Sequence, residues 1–146
     1  MERALATAAD ADIILKLYDL RREPVMRAAR AWMSGEFWPA TAEEFFAVAN
    51  GNDEHNAWFR QVTSYWEMAA AMVLHGAVSA ELFIDCNGES LYYLAKFAPI
   101  LDEIRAKKPG FMEKTSELIK RFPPAAERYA GILKNVEGMR ARRAAK

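Results

Sequence analysis

Glu67 is the residue whose position asks for a chemical explanation. It follows Trp66 on a helical arc shared with Ala70 and Leu74. An ionised carboxylate among such neighbours must meet a cation and hydrogen bonds, or take up a proton. Arg27 and Arg30 on the preceding helical segment are the expected donors, with Arg105 further along as the alternative. Two uses follow from such a pair. It can fix helix register, or it can supply the polar groups of a ligand pocket or enzyme in the bundle, with Glu67 and Arg30 set among Tyr65, Trp66 and Tyr92. The first is the expected use, because structural ion pairs perturb carboxylates as readily as catalysis does.

Other reactive residues are sparse. His55 and His75 lie twenty positions apart, and neither a Glu-x-x-His nor a His-x-x-x-His spacing occurs, so no metal site is expected. His55 stands near a helix start, as a solvated or capping residue. His75 precedes Gly76 at a helix end, where a protonated imidazole is favoured. Cys86 lies in Asp85-Cys86-Asn87-Gly88, whose acidic neighbours raise a thiol pKa, so an inert, partly buried cysteine is expected. There is no Gly-x-Ser-x-Gly elbow and no glycine-rich phosphate loop. No catalytic residue and no cofactor is assigned.

The segment from Lys134 to Lys146 is basic, with Arg140, Arg142 and Arg143 against Glu137. Cations gather at helix C-termini in any case, and no aromatic residues interleave with these. A frayed, solvated end over 140–146 is therefore expected, and nucleic-acid contact is the weakest reading. Aromatic residues are plentiful: Trp32, Trp38, Trp58 and Trp66, with Phe37, Tyr92, Tyr93 and Phe97. Most belong to a core, and some could form a face for a second copy.

The elements that position these residues read as helices. Trp58, Val62, Tyr65, Trp66, Ala69, Met72 and Val73 recur at helical spacing, with Phe59, Ala70 and Leu74 widening the apolar arc. Asn52 can cap that long helix, Gly76 suits its left-handed end, and Ser79 can cap a short helix after it. Upstream, Thr7 with Asp10 and Thr41 with Glu44 have the spacing of capping boxes. Pro24 predicts either a kink or two helices, with the proline at the first position of the second. That second piece ends near Gly35, and a short helix after Thr41 stops at Asn50–Gly51. Asn87–Gly88 is a turn. Leu91, Leu94, Ala95, Ala98, Leu101 and Ile104 give a helix bent by Pro99 and ended by Pro109–Gly110. Two more helices follow, carrying Phe111 to Phe122 and then Tyr129 to Met139, divided by Pro123–Pro124. No period-two run appears, so the expectation is an all-α single domain over 1–146, a bundle of five to seven helices without a sheet.

Composition agrees. The 146 residues are 52% hydrophobic and 27% charged, with 20 basic and 20 acidic side chains giving a formal charge of zero. That balance suits a folded domain and asks for neither nucleic acid nor an anionic membrane. The one cysteine excludes an internal disulfide and fits a reducing compartment. Glu2, Arg3 and Asp10 interrupt any leader-like apolar run, and Glu67, His75, Gly76 and Glu81 interrupt the best candidate span, Tyr65–Ile84. A cytoplasmic protein outside the membrane is expected.

The run Tyr65-Trp66-Glu67-Met68-Ala69, then His75-Gly76-Ala77-Val78-Ser79-Ala80-Glu81-Leu82, resembles the core pattern of a bacterial family, domain of unknown function 4760. A following helix that reaches a proline and an arginine is matched by Tyr92–Arg105 with Pro99. Leu17-Tyr18, Arg21-Arg22-Glu23 and Ala29-Arg30 fit less specifically. The resemblance spans about the middle two-thirds of the chain and implies an all-helical fold with no assigned activity. Many members begin with a membrane-spanning segment, which this sequence does not show. The functional expectation is a non-enzymatic helical interaction module, self-associating through an aromatic helix face.

Overall fold

A computed structural model of the protein describes residues 5–146. Glu2 and Arg3, which enter the argument against a leader segment, lie outside them. Among the described residues there are nine α-helices and no strand. They are α1 (Ala8–Leu20), α2 (Pro24–Gly35), α3 (Ala42–Ala49), α4 (Glu54–Leu74), α5 (Ala80–Cys86), α6 (Glu89–Phe97), α7 (Leu101–Lys107), α8 (Glu113–Arg121) and α9 (Pro123–Ala144). The all-α class is as expected, but five to seven helices is too few. Glycine and proline sites that periodicity runs through divide the chain more finely.

Pro24 begins a separate helix, α2, as the first of the two alternatives at that proline would not. Its ring fixes φ for a first turn and removes only an amide that has no partner there. Pro99 instead lies inside a 3₁₀ turn, Ala98–Ile100, which joins α6 to α7 and bends one long rod. Gly76 has φ of +79° and ends α4: its amide donates to Val73 O and that of Ala77 to Met72 O, which satisfies two of the last carbonyls. Thr7 and Asp10 form a full capping box, and Ser79 caps α5. Thr41 caps α3, while the Glu44 carboxylate reaches back to the Ala40 amide. The cap of α4 is Asp53 and not the neighbouring Asn52, because Asp53 Oδ1 accepts from the Asn56 amide.

The core is aromatic. Phe37, Phe45, Phe59, Phe97 and Phe111 meet edge to face and stacked, with centroids 5.1–6.3 Å apart. Such pairs add to the burial of their area. Helix α4 packs against α2 on one side and α8 on the other, and α6 lies against α9. The residues nominated for an aromatic outer face are mostly interior: Trp32, Phe37, Trp66, Tyr93 and Phe97 are buried, and Trp38, Trp58 and Tyr92 half-buried. Helix α9 continues to Ala144, so the segment 140–146 that reads as a frayed tail is helical over most of its length. No helix among the described residues is long and apolar enough to cross a membrane.

Candidate functional site

Helices α2 and α6 face each other with polar residues set into otherwise apolar surfaces. On α6, Glu89, Tyr93 and Lys96 stand at i, i+4 and i+7, one stripe of the helix. On α2, Arg30 and Ser34 stand at i and i+4 opposite them. The Arg30 guanidinium grips the Glu89 carboxylate from Nε (2.9 Å) and Nη2 (2.8 Å), a two-pronged pair whose side chains are 25% and 20% exposed. The Trp66 indole of α4 donates to the same carboxylate at 2.7 Å, tying three helices to one group. The remaining guanidinium nitrogen of Arg30 donates to Arg21 O at the end of α1. Its hydrogen bonds to Glu89 hold Arg30 above its ordinary pKa.

One turn on, the Tyr93 hydroxyl and Ser34 Oγ share a hydrogen bond of 3.1 Å. Burial, reinforced by the Glu89 charge, raises Tyr93 far beyond physiological pH and keeps it neutral. The stripe ends at Lys96, which is 3% exposed. Its Nζ donates to Met33 O (2.5 Å) and Ser34 O (3.4 Å), the open carbonyls at the C-terminus of α2. Tyr92 adds its hydroxyl to Ser34 O at 2.8 Å. Among the described residues, no carboxylate joins Lys96. Burial first, then the positive charges of Arg143 and Arg140, pull its pKa down to about 7.

The nominated residues thus separate. Arg30 and Trp66 meet on Glu89, and Tyr65 flanks them, its ring edge-on to Trp66 and its hydroxyl donating to Leu17 O. Tyr92 stands further along the seam, beside Lys96. Arg27 is exposed and takes no part. Glu67 is elsewhere. Neither Arg27, Arg30 nor Arg105 reaches it. Its carboxylate instead accepts the amides of Lys114 and Thr115 (3.0 Å each) and the Thr115 hydroxyl (2.8 Å). These are free donors in the first turn of α8, whose own cap residue, Met112, offers no side-chain bond and sits at φ of +50°. Glu67 is the N-cap of α8, delivered from α4. A groove of about 620 Å³ runs beside it, lined by Phe59, Arg60 and Lys108 among others, but the carboxylate is already satisfied.

The same device recurs. Arg105 donates to Phe111 O, Met112 O and Ser116 Oγ at the α7–α8 corner. Asn56 closes the end of α3 by donating to Val48 O and Ala49 O. Arg140 of α9 donates to Lys96 O (2.8 Å) at the end of α6. Arg128 does so for Ile84 O of α5, passing over Gly88, where an added Cβ would come within 2.7 Å of its Nη2. Asp10 bridges α1 to the Ser79 amide of α5, and its pKa is lowered chiefly by the Thr7 amide. Chemically, the interior offers the Arg30–Glu89 pair and carbonyls filled by side-chain donors, Lys96 among them. No buried side-chain nitrogen or oxygen among the described residues lacks a partner.

Glu89 and Lys96 escape a reading by periodicity, although a signal exists. Lys96 interrupts the apolar run Leu94-Ala95-Lys96-Phe97-Ala98, and Glu89 stands seven residues before it. The histidines and the cysteine do no chemistry together. His55 is exposed and stacks on Trp32 at 4.6 Å, His75 is the exposed cap residue of α4, and Cys86 is exposed where partial burial is expected. No cluster of three or more His, Cys, Asp or Glu among the described residues could hold a metal.

The sequence model of the family described as Domain of unknown function (DUF4760) matches residues 6–122, and the chain belongs to that family. The match covers α1 to α8 and stops where α9 begins, so Glu67, Glu89 and Lys96 fall inside it and Arg140 and Arg143 do not. No curated protein and no solved structure matches the chain.

Proposed function

We propose that this member of the family is a non-enzymatic helical interaction module, working in a reducing cytoplasm and self-associating through the outer side of α1 and the start of α2. The observation behind the first part is the commitment of the polar interior. Glu67, Arg30, Arg105 and Asn56 each bond the backbone at the end of another helix, Glu89 is taken up by Arg30 and Trp66, and a group so committed is not free to move a proton in a reaction. A working surface then lies outside the bundle. Helix α1 buries only Ile14 and Leu17, while Leu15 (63%), Tyr18 (47%), Leu20 (49%) and Val25 (52%) are exposed around it. Large apolar side chains gathered on one segment mark contact surfaces in folded proteins. Leu15 and Tyr18 share one face of α1, three residues apart. The basis for association is therefore Leu15, Leu20 and Val25 with the one aromatic Tyr18, and not the aromatic residues inside the bundle.

Sedimentation equilibrium tests this reading. The wild-type chain is expected to reach a dimer, and the Leu15→Glu, Tyr18→Glu double variant to remain a monomer with unchanged helical circular dichroism. A wild-type chain that stays monomeric at its highest soluble concentration contradicts the self-association. A ligand pocket or enzyme centred on Glu67 has less behind it, because three donors from α8 already occupy that carboxylate.

A further inference from the structure

Five cations converge where the end of α2 meets the last turns of α9. A cavity of about 310 Å³ there is lined by Ser34, Trp38, Arg142, Arg143 and Lys146 among seven residues, none of them acidic. Trp38 forms its aromatic wall. The Lys96 ammonium stands 4.5 Å from the Trp38 ring centroid and the Arg143 guanidinium 4.9 Å, and Tyr92 meets the indole edge-on at 6.4 Å. Behind them, Arg140 is bound to Lys96 O. Among the described residues, no carboxylate pairs with Lys96, Arg140, Arg142, Arg143 or Lys146.

Helix dipoles account for part of this. Lys96 satisfies the open carbonyls of α2, and cations in the last turn of α9 are favoured. That explanation places Lys96, Arg140, Arg142 and Arg143 one by one, but it leaves their mutual repulsion uncompensated. The repulsion is felt inside: Arg143 and Arg140 both disfavour the charged form of Lys96, on top of its burial. An anion in the cavity would reverse the sign of that interaction for every member of the cluster.

We propose that this pocket binds the phosphate-type oxyanion of a small soluble ligand, held by Arg142, Arg143 and Lys146 beside Trp38. The geometry suits such a group: guanidinium forks pair with phosphate oxygens by two parallel hydrogen bonds, and the cavity has room for a compact anion rather than a long chain. Trp38 also supplies the aromatic neighbour that the basic segment lacks in sequence, and its ring holds the Arg143 guanidinium at the cavity. The site is separate from the α1 surface and does not depend on self-association.

Isothermal titration calorimetry with inorganic pyrophosphate tests the pocket, on the full chain at low salt. The wild-type protein is expected to bind one equivalent per chain. The Arg142→Gln, Lys146→Gln double variant, both positions exposed, should bind at least about tenfold more weakly, while Lys134→Gln on the same helix binds as wild type. Trp38→Leu should weaken pyrophosphate binding only a few-fold, because the indole orients Arg143 and does not itself hold the anion. Equal weakening by Lys134→Gln would mean diffuse attraction to a basic helix and overturn the pocket. So would no binding of pyrophosphate together with binding of a single-stranded oligonucleotide or of phosphatidic acid vesicles, since the anion would then be a polymer or a surface.

Discussion

Glu89 is the interior carboxylate that an arginine and an indole hold in place, and its removal is the sharpest test of the seam. Glu89→Gln keeps the shape but leaves Arg30 without a counter-ion in a mostly buried position. The expected loss is about 2–3 kcal/mol, below the full cost of breaking a sealed pair because both side chains touch water. For a chain of this length that lowers Tm by roughly 2–4 °C per kcal/mol, read by calorimetry. Arg27→Gln, on an exposed residue of the same helix, should move Tm by less than about 1 °C. Lys96 carries a pH signature of its own. Its folded pKa is lowered to about 7, against about 10.4 when unfolded, so between those values the unfolded chain holds more protons and the Lys96 contribution to stability rises with pH. Below about pH 7 both states are protonated, and burying the charge is unfavourable throughout. The Tm difference between wild type and Lys96→Met should therefore shift in favour of wild type from about pH 6 to about pH 9, and a difference that stays flat would contradict a buried lysine whose pKa is lowered. Sequence alone conveys the kind of arrangement, a carboxylate admitted to an apolar interior by a guanidinium, but attaches it to Glu67. Helical phase says which side of α4 a residue is on. It does not say that this side looks onto the first turn of α8, where backbone amides serve as well as an arginine.

At the scale of the element, local signals and long-range ones part company. The ends written in neighbouring residues are legible: Thr7 with Asp10, Thr41, Ser79, Gly76 and the first-turn proline of α2 all act within a few positions. The bend at Pro99 is legible for the same reason. The ends closed from another helix are not, because their partners are 44 to 48 residues away for Arg128, Arg140 and Glu67. Short helices such as α3, α5 and α8 need these closures, since few intrahelical bonds remain once the ends are subtracted. Glu67→Ala should accordingly cost about 1–2 kcal/mol, the value of an N-cap, and Glu67→Gln less, because an amide oxygen still accepts from α8. Urea unfolding gives both numbers. A Glu67→Ala protein as stable as wild type would show that the first turn of α8 is capped adequately by water.

For the whole molecule, helical periodicity conveys the all-α class but too few helices. Apolar periodicity at 3.6 residues persists through Pro24 and through the α6–α7 rod, so phase alone merges what backbone geometry divides. The aromatic residues explain a core of stacked and edge-on rings and leave the outside of α1 as the apolar surface. The bundle emerges as short helices clasped to one another by side chains that cross between them, with association and anion binding proposed for its exterior. Hydrogen exchange followed along the entire chain tests that architecture most directly, comparing wild type with Glu67→Ala and Arg140→Gln. Protection should fall away from the substituted helix: at Lys114, Thr115 and the rest of the first turn of α8 for Glu67→Ala, and in the last turn of α6 for Arg140→Gln. Loss confined to α4 and α9 themselves, or no loss at all, would contradict it.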